Sequence, residues 1–189
     1  MHLDAYRQIN RQVWRDFERG EITAERLRLR RFERLFETVE IALTPERFSA
    51  LYLEHLATGI DLIEGAQEMV AALHDAYRLA IITNGLKDIQ RPRLARSPIG
   101  RYFAEVVISE EVGAAKPDAR IFDAAFARLG NPERTDVLVI GDSLASDIAG
   151  GQRYGVDTCW FNPTGQPGGP DVESTYEIRS LTELRRLLL

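Results

Sequence analysis

Gly141-Asp142-Ser143-Leu144-Ala145-Ser146-Asp147-Ile148 follows directly on the apolar run Val137-Leu138-Val139-Ile140, and the reading of this junction decides the fold. The run is short and β-branched, which predicts a buried strand. Asp142 and Ser143 are common helix-capping residues, so the strand is expected to give way to a helix. Asp142 and Asp147 stand five residues apart at that point. A hard cation such as Mg²⁺ takes a few carboxylate oxygens together with water and a phosphate, so the pair also suits a cation seat. Taken alone, the stretch fits a cation seat or a plain capped turn.

Two segments upstream add to it. Arg78-Leu79-Ala80-Ile81-Ile82-Thr83 reads as another buried strand and runs straight into Asn84-Gly85. A Thr hydroxyl and free backbone N–H groups at a strand's carboxyl end can hold phosphate oxygens, although Asn-Gly is also an ordinary turn. In Ala115-Lys116-Pro117-Asp118, the proline biases Lys116 toward an extended backbone and Asp118 can open the next helix. A lysine there suits neutralising phosphate charge or simply sits in solvent. Lys87 and Lys116 are the only lysines in an arginine-rich chain, which favours a compact point charge being wanted at these positions.

The order Ile-Ile-Thr-Asn-Gly, Ala-Lys-Pro-Asp and Gly-Asp-Ser-Leu-x-x-Asp-Ile resembles the second, third and fourth motifs of the haloacid dehalogenase superfamily. Further similarity lies in 108–113 and in 176–181. Asn10-Arg11-Gln12-Val13-Trp14, Gly20-Glu21-Ile22-Thr23 and Thr158-Cys159-Trp160-Phe161-Asn162 resemble bacterial pyrimidine 5'-nucleotidases of the house-cleaning type. By resemblance, Thr83 and Asn84 bind the transferring phosphate and Lys116 neutralises it, making Thr83 and Lys116 the catalytic residues. Asp142 and Asp147 hold or support Mg²⁺. In such enzymes an aspartate attacks the phosphoester, and water hydrolyses the resulting aspartyl-phosphate.

That aspartate belongs to a first motif, an apolar strand ending in Asp-x-Asp, and this chain has no Asp-x-Asp. Asp4 has no apolar strand before it, and Asp61 has no Asp two positions on; neither is nominated as nucleophile. The family's first strand lies in the middle of the sheet, between the strand ending at Thr83 and the one ending near Asp142. Its loss is expected to orphan roughly ten backbone polar groups, at about 1–3 kcal/mol each if buried. That rivals a domain's stability of about 5–15 kcal/mol. Three remedies are open: direct pairing of the flanking strands, a strand donated by a partner or a homodimer, or a sequence shorter than the functional gene product. The last is the one expected.

At 189 residues and 44% hydrophobic, the chain can bury one good core and a small accessory unit. No run is long enough to span a membrane and no leader-like start is visible. The single Cys159 cannot form an internal disulfide and fits a reducing cytoplasm. A net charge of −5 offers nucleic acid no general attraction. Residues 1–60 are expected to form a helical cap. In it Tyr6, Ile9, Val13 and Phe17 share one helix face, Leu29, Phe32, Phe36 and Val39 a second, and Phe48, Leu51, Tyr52 and Leu56 a third. Thr23 caps the second helix and Thr44-Pro45 opens the third. Trp14 is read as packing among these helices.

Residues 61–189 alternate strands and helices, the pattern of a Rossmann-like parallel α/β core, here without its first, central strand. Helices are expected around Ala66, Met69, Val70 and Leu73, from Asp118 to Gly130, and over 181–189. Strands are expected at 106–108, 159–161 and 176–178, with a Gly/Pro-rich loop over 164–175. Pro92 is expected to break or kink a helix near 90–93. In an open α/β sheet, ligands collect at the strands' carboxyl ends. The leading function is therefore a Mg²⁺-dependent phosphomonoesterase for nucleoside 5'-monophosphates, with sugar-phosphate or phosphoglycolate hydrolysis as the sister reading. Dehalogenation is less favoured, since it does not need the magnesium carboxylates. A non-catalytic phosphate-binding protein takes the missing Asp-x-Asp at face value, and little activity is expected of the chain as it stands.

Overall fold

Three amphipathic helices open the molecule. A computed structural model describes residues 2–189; Met1, the first residue of the expected cap, lies outside them. Helix α1 spans His2–Glu18, α2 Ala24–Phe36 and α3 Pro45–Thr58. Thr23 and Thr44 cap as expected: the Thr23 hydroxyl accepts from the Arg26 N–H at 3.2 Å and that of Thr44 from the Arg47 N–H at 3.3 Å. These bonds satisfy donors that a helix start leaves free. The buried stripe of α2 differs from the expected one. Leu27, Arg31, Phe32 and Leu35 are buried, and the helix ends before Val39. The i, i+4 spacing runs through Arg31, whose guanidinium lies 5.0 Å from the centroids of both Phe32 and Tyr52. A cation stacked on aromatic faces takes a place that a search for apolar residues passes over.

The rest alternates as expected: α4 (Ala66–Ala76), β1 (Leu79–Thr83), α5 (Lys87–Arg96), β2 (Phe103–Ile108), α6 (Ser109–Val112) and α7 (Ala119–Leu129) come first. Then follow β3 (Leu138–Gly141), α8 (Ala149–Tyr154), β4 (Asp157–Phe161), β5 (Tyr176–Ile178) and α9 (Leu184–Leu188). Gly130 ends α7 at φ 85°, a left-handed conformation that glycine adopts without penalty. Of the expected break or kink at Pro92, no break occurs: α5 runs unbroken from Lys87 to Arg96 with Pro92 inside it. The bond Pro92 cannot donate belongs to the carbonyl of Asp88, an exposed first-turn residue that water can serve. The helix is held by buried Ile89 and by Arg93 and Arg96, which donate to the carbonyls of Gly59 at 2.9 Å and Ala57 at 3.3 Å.

All strand pairings are parallel, but the sheet is in two parts. β1 pairs with β2, and β3 pairs with β4, which pairs with β5. Among the described residues β1 and β3 do not pair with each other, which removes direct pairing as the remedy for the missing centre. A cavity of about 540 Å³ separates them, lined by Leu79, Ala80 and Ile82 on one side and Leu138, Val139 and Ile140 on the other. The two edges are only partly covered: every residue of β1 is half-buried, and Ile140 is 39% exposed. The penalty expected for fully buried backbone groups is therefore reduced. One edge carbonyl has a side-chain partner: Ile82 O accepts from Lys116 Nζ at 2.8 Å.

The helical layer docks on the start of α5. Val13 and Leu27 are buried with Leu86 and Ile89, and Trp14 and Phe17 pack beside them. Arg28 adds ion pairs to Asp88 at 3.0 Å and Glu110 at 2.9 Å. Trp14 thus packs as expected, edge-on to Phe17 with centroids 5.8 Å apart.

Candidate active site

β1 delivers Thr83 and Asn84 at its carboxyl end. Asn84 is buried and acts as a two-sided clamp on Lys116. Its Oδ1 accepts from the Lys116 N–H at 2.7 Å, and its Nδ2 donates to the Lys116 carbonyl at 3.0 Å. The clamp fixes the backbone of the Ala-Lys-Pro-Asp segment, so the Lys116 side chain has a defined origin. Its ammonium reaches Asp147 Oδ1 at 2.6 Å as well as Ile82 O, with side-chain exposures of 13% for Lys116 and 9% for Asp147. A pair this sheltered is held in one geometry; breaking one half leaves an uncompensated charge.

β3 delivers the acidic half. Ser143 caps the helical turn after it, its hydroxyl accepting from the Ser146 N–H at 3.2 Å. The turn is π-helical over Leu144–Ile148 before α8 takes over, and such turns often re-aim side chains at functional sites. Asp147 Oδ2 accepts from the Ser143 N–H at 3.0 Å, so both oxygens of Asp147 already have donors. Gly141 lets this carboxylate pack against the strand end, since an added Cβ would overlap the Asp147 carboxyl. Asp142 differs: its side chain is exposed, and its carbonyl is held by the indole N–H of Trp160 at 3.1 Å. The Thr83 hydroxyl accepts from the Gly85 N–H at 3.0 Å, closing the turn after β1.

Of the five residues singled out in the sequence, Asn84, Lys116 and Asp147 are thus joined by direct bonds. Thr83 flanks Asn84, and Asp142 stands at the head of the turn that carries Asp147. Among the described residues, no group of three or more His, Cys, Asp or Glu side chains is placed to hold a metal ion. The donor set suits Mg²⁺ in a restricted way: Asp142 has a free, exposed carboxylate, whereas Asp147 orients Lys116. That matches an ion which keeps most of its shell as water and phosphate.

Sequence patterns missed Glu18, the last residue of α1. Asn84 Nδ2 donates to Glu18 Oε1 at 3.3 Å. Burial raises the Glu18 carboxyl above the usual range, and the negative charge of Asp147 pushes it the same way; hydrogen bonds from Asn84 and Ser146 and the Lys116 charge oppose. No motif or periodicity marks Glu18, because its place is set by how α1 docks on the core. Trp160 was noted only for resemblance, and Ser146 only as part of the motif.

In sequence and fold the chain is similar to known proteins over nearly its whole length. A crystal structure of the HAD-hydrolase YfnB from Bacillus subtilis, bound to magnesium, superposes with a TM-score of 0.91 at 36% identity. It covers 99% of this chain and 82% of that one. The pyrimidine 5'-nucleotidase YjjG of Escherichia coli (strain K12) is 37% identical over 97% of this chain and 80% of its own length. PynA of Streptococcus pneumoniae, also a pyrimidine 5'-nucleotidase, is 34% identical over 97% and 78%. A family model for haloacid dehalogenase-like hydrolases matches residues 3–155, the span that holds Thr83, Asn84, Lys116, Asp142 and Asp147, and the chain belongs to that family.

Proposed function

We propose that this chain is the body of a Mg²⁺-dependent phosphomonoesterase acting on pyrimidine nucleoside 5'-monophosphates in the cytoplasm, with a cap over 1–60 and a Rossmann-like core over 61–189. The observation that carries the reading is the Lys116 ammonium, clamped through its backbone by Asn84 and aimed by Asp147 at the carboxyl ends of β1 and β3. There it neutralises a phosphoryl group held by the Thr83–Asn84 turn. Preorganised charge of this kind is the main contribution a protein makes to phosphoryl transfer. Mg²⁺, when bound, supplies further charge for the phosphoryl oxygens; Asp142 holds it, and Asp147 keeps Lys116 in line. The names of YjjG and PynA support the nucleotide substrate.

Among the described residues, Asp147, the carboxylate paired with Lys116, is committed on both oxygens, so the attacking carboxylate must come from elsewhere. The cavity between β1 and β3 ends at Lys116 and Asp147. An extended apolar segment seated there, parallel to both strands and ending in Asp-x-Asp, would supply that carboxylate. A partner or a second copy of the chain, where the segment comes from another chain, is a strand donor. A phosphate-binding protein without catalysis is the second reading, favoured by the same commitment of Asp147. Assaying the 189-residue chain on UMP with Mg²⁺, alone and with such a peptide, separates them. Negligible turnover alone and turnover with peptide is expected. Binding of UMP without turnover in either case selects the second reading.

A further inference from the structure

Where α1 ends, its cap delivers a carboxylate to the phosphate grip. Glu18 shares Asn84 Nδ2 with the Lys116 carbonyl, at 3.3 and 3.0 Å. It also feels the charges of both Asp147 and Lys116. A helix C-terminus carries partial negative charge, so the end of this 17-residue helix adds to the field of Glu18. The nearest arginine in sequence does not cancel it: Arg19 turns away to Asp16 at 3.1 Å and Glu21 at 2.8 Å. Lys116 is the cation on the opposite side, and it is engaged with Asp147 and the Ile82 carbonyl.

Resting on the phosphate-binding reading above, we propose that Glu18 determines specificity by screening the leaving group. It accepts hydrogen bonds from a hydroxylated, uncharged group attached to the phosphate and repels one that carries a second anion. A nucleoside passes this screen. A short carboxylated phosphoester such as phosphoglycolate does not, because its carboxylate would lie beside Glu18 in a half-buried site where like charges are poorly screened. The Asn84 bond to residue 18 can persist in Glu18→Gln, since an amide oxygen also accepts it, though less strongly than a carboxylate.

The test measures dissociation constants of inorganic phosphate, UMP and phosphoglycolate for the full chain by calorimetry in Mg²⁺-containing buffer, comparing the native chain with Glu18→Gln and Glu18→Lys. The expected outcome is a preference for UMP over phosphoglycolate in the native chain. It shrinks about tenfold in Glu18→Gln and further in Glu18→Lys, with inorganic phosphate affinity changing much less. Glu18→Gln preserves shape and the Asn84 bond, so it is the variant that keeps the fold. Phosphate and UMP binding with an unaltered preference in both variants overturns the Glu18 proposal and leaves the phosphate grip standing. Absence of inorganic phosphate binding to the native chain removes the grip itself, and the proposal with it.

Discussion

Strand β4 and its counterparts β1 and β3 make an instructive contrast. β4 reads Asp-Thr-Cys-Trp-Phe and has a strand on each side; Thr158, Cys159 and Trp160 are at most 5% exposed. β1 reads Leu-Ala-Ile-Ile-Thr, a more apolar sequence, yet none of it is buried. β3 is similar, with Ile140 39% exposed. Apolar composition alone does not produce burial; covering elements do: a strand on each side for β4, and the α7 residues Ile121, Phe122 and Ala125 packed with Val107 for β2. Two highly apolar strands facing each other across open space have the chemistry of a sheet interior and the environment of an edge.

The sharpest way to break this contrast uses one substitution at two places. Ile108, at the end of β2, is 0% exposed, and Ile108→Ala should cost about 2–5 kcal/mol in urea unfolding because a cavity remains. Ile140→Ala should cost under about 1 kcal/mol, as for an exposed site away from special features. Equal losses would mean that Ile140 is covered in solution and that the cavity is filled. Lys116→Ala comes next, at about 3 kcal/mol, because Asp147 would be left sheltered and unpaired. The double variant Lys116→Ala/Asp147→Ala should recover part of that loss, and strict additivity would show that the pair is uncoupled.

The smallest effect concerns the exposed pair Arg91–Glu111, at 2.6 Å. Its hydrogen bonds hold the Glu111 carboxyl below the usual range. A lowered carboxyl gives stability that is present above the ordinary glutamate value, about 4.3, and is lost as pH falls through the folded value. Arg91→Ala should therefore lower the melting temperature slightly at neutral pH and not at all in strong acid. The loss should be about 0.2–1 kcal/mol; a loss that persists at low pH would exclude charge as its cause.

The elements were largely legible because their signals are local. Thr23, Thr44 and Asp118 cap by reaching N–H groups two or three residues ahead, and alternation of strand and helix follows from periodicity. The buried stripe of α2 and the unbroken course of α5 through Pro92 escaped for the opposite reason. The stacking of Arg31 on Tyr52, and the anchoring of α5 by Arg93 and Arg96 on the C-terminal end of α3, depend on contacts far along the sequence. The site divides in the same way: its motifs announced Thr83, Asn84, Lys116, Asp142 and Asp147, whereas Glu18 came into view only through docking.

By itself the sequence determined the strands, the helices and their caps, and which short motifs carry charged and hydroxyl groups at strand ends. Only tertiary structure decided that β1 and β3 stay apart, that Asp147 spends both oxygens on Lys116 and Ser143, and that the end of α1 reaches Asn84. The physical reason is range. Propensity and capping act within a few residues, while pairing, charge neighbours and solvent access depend on which distant segments the fold brings side by side.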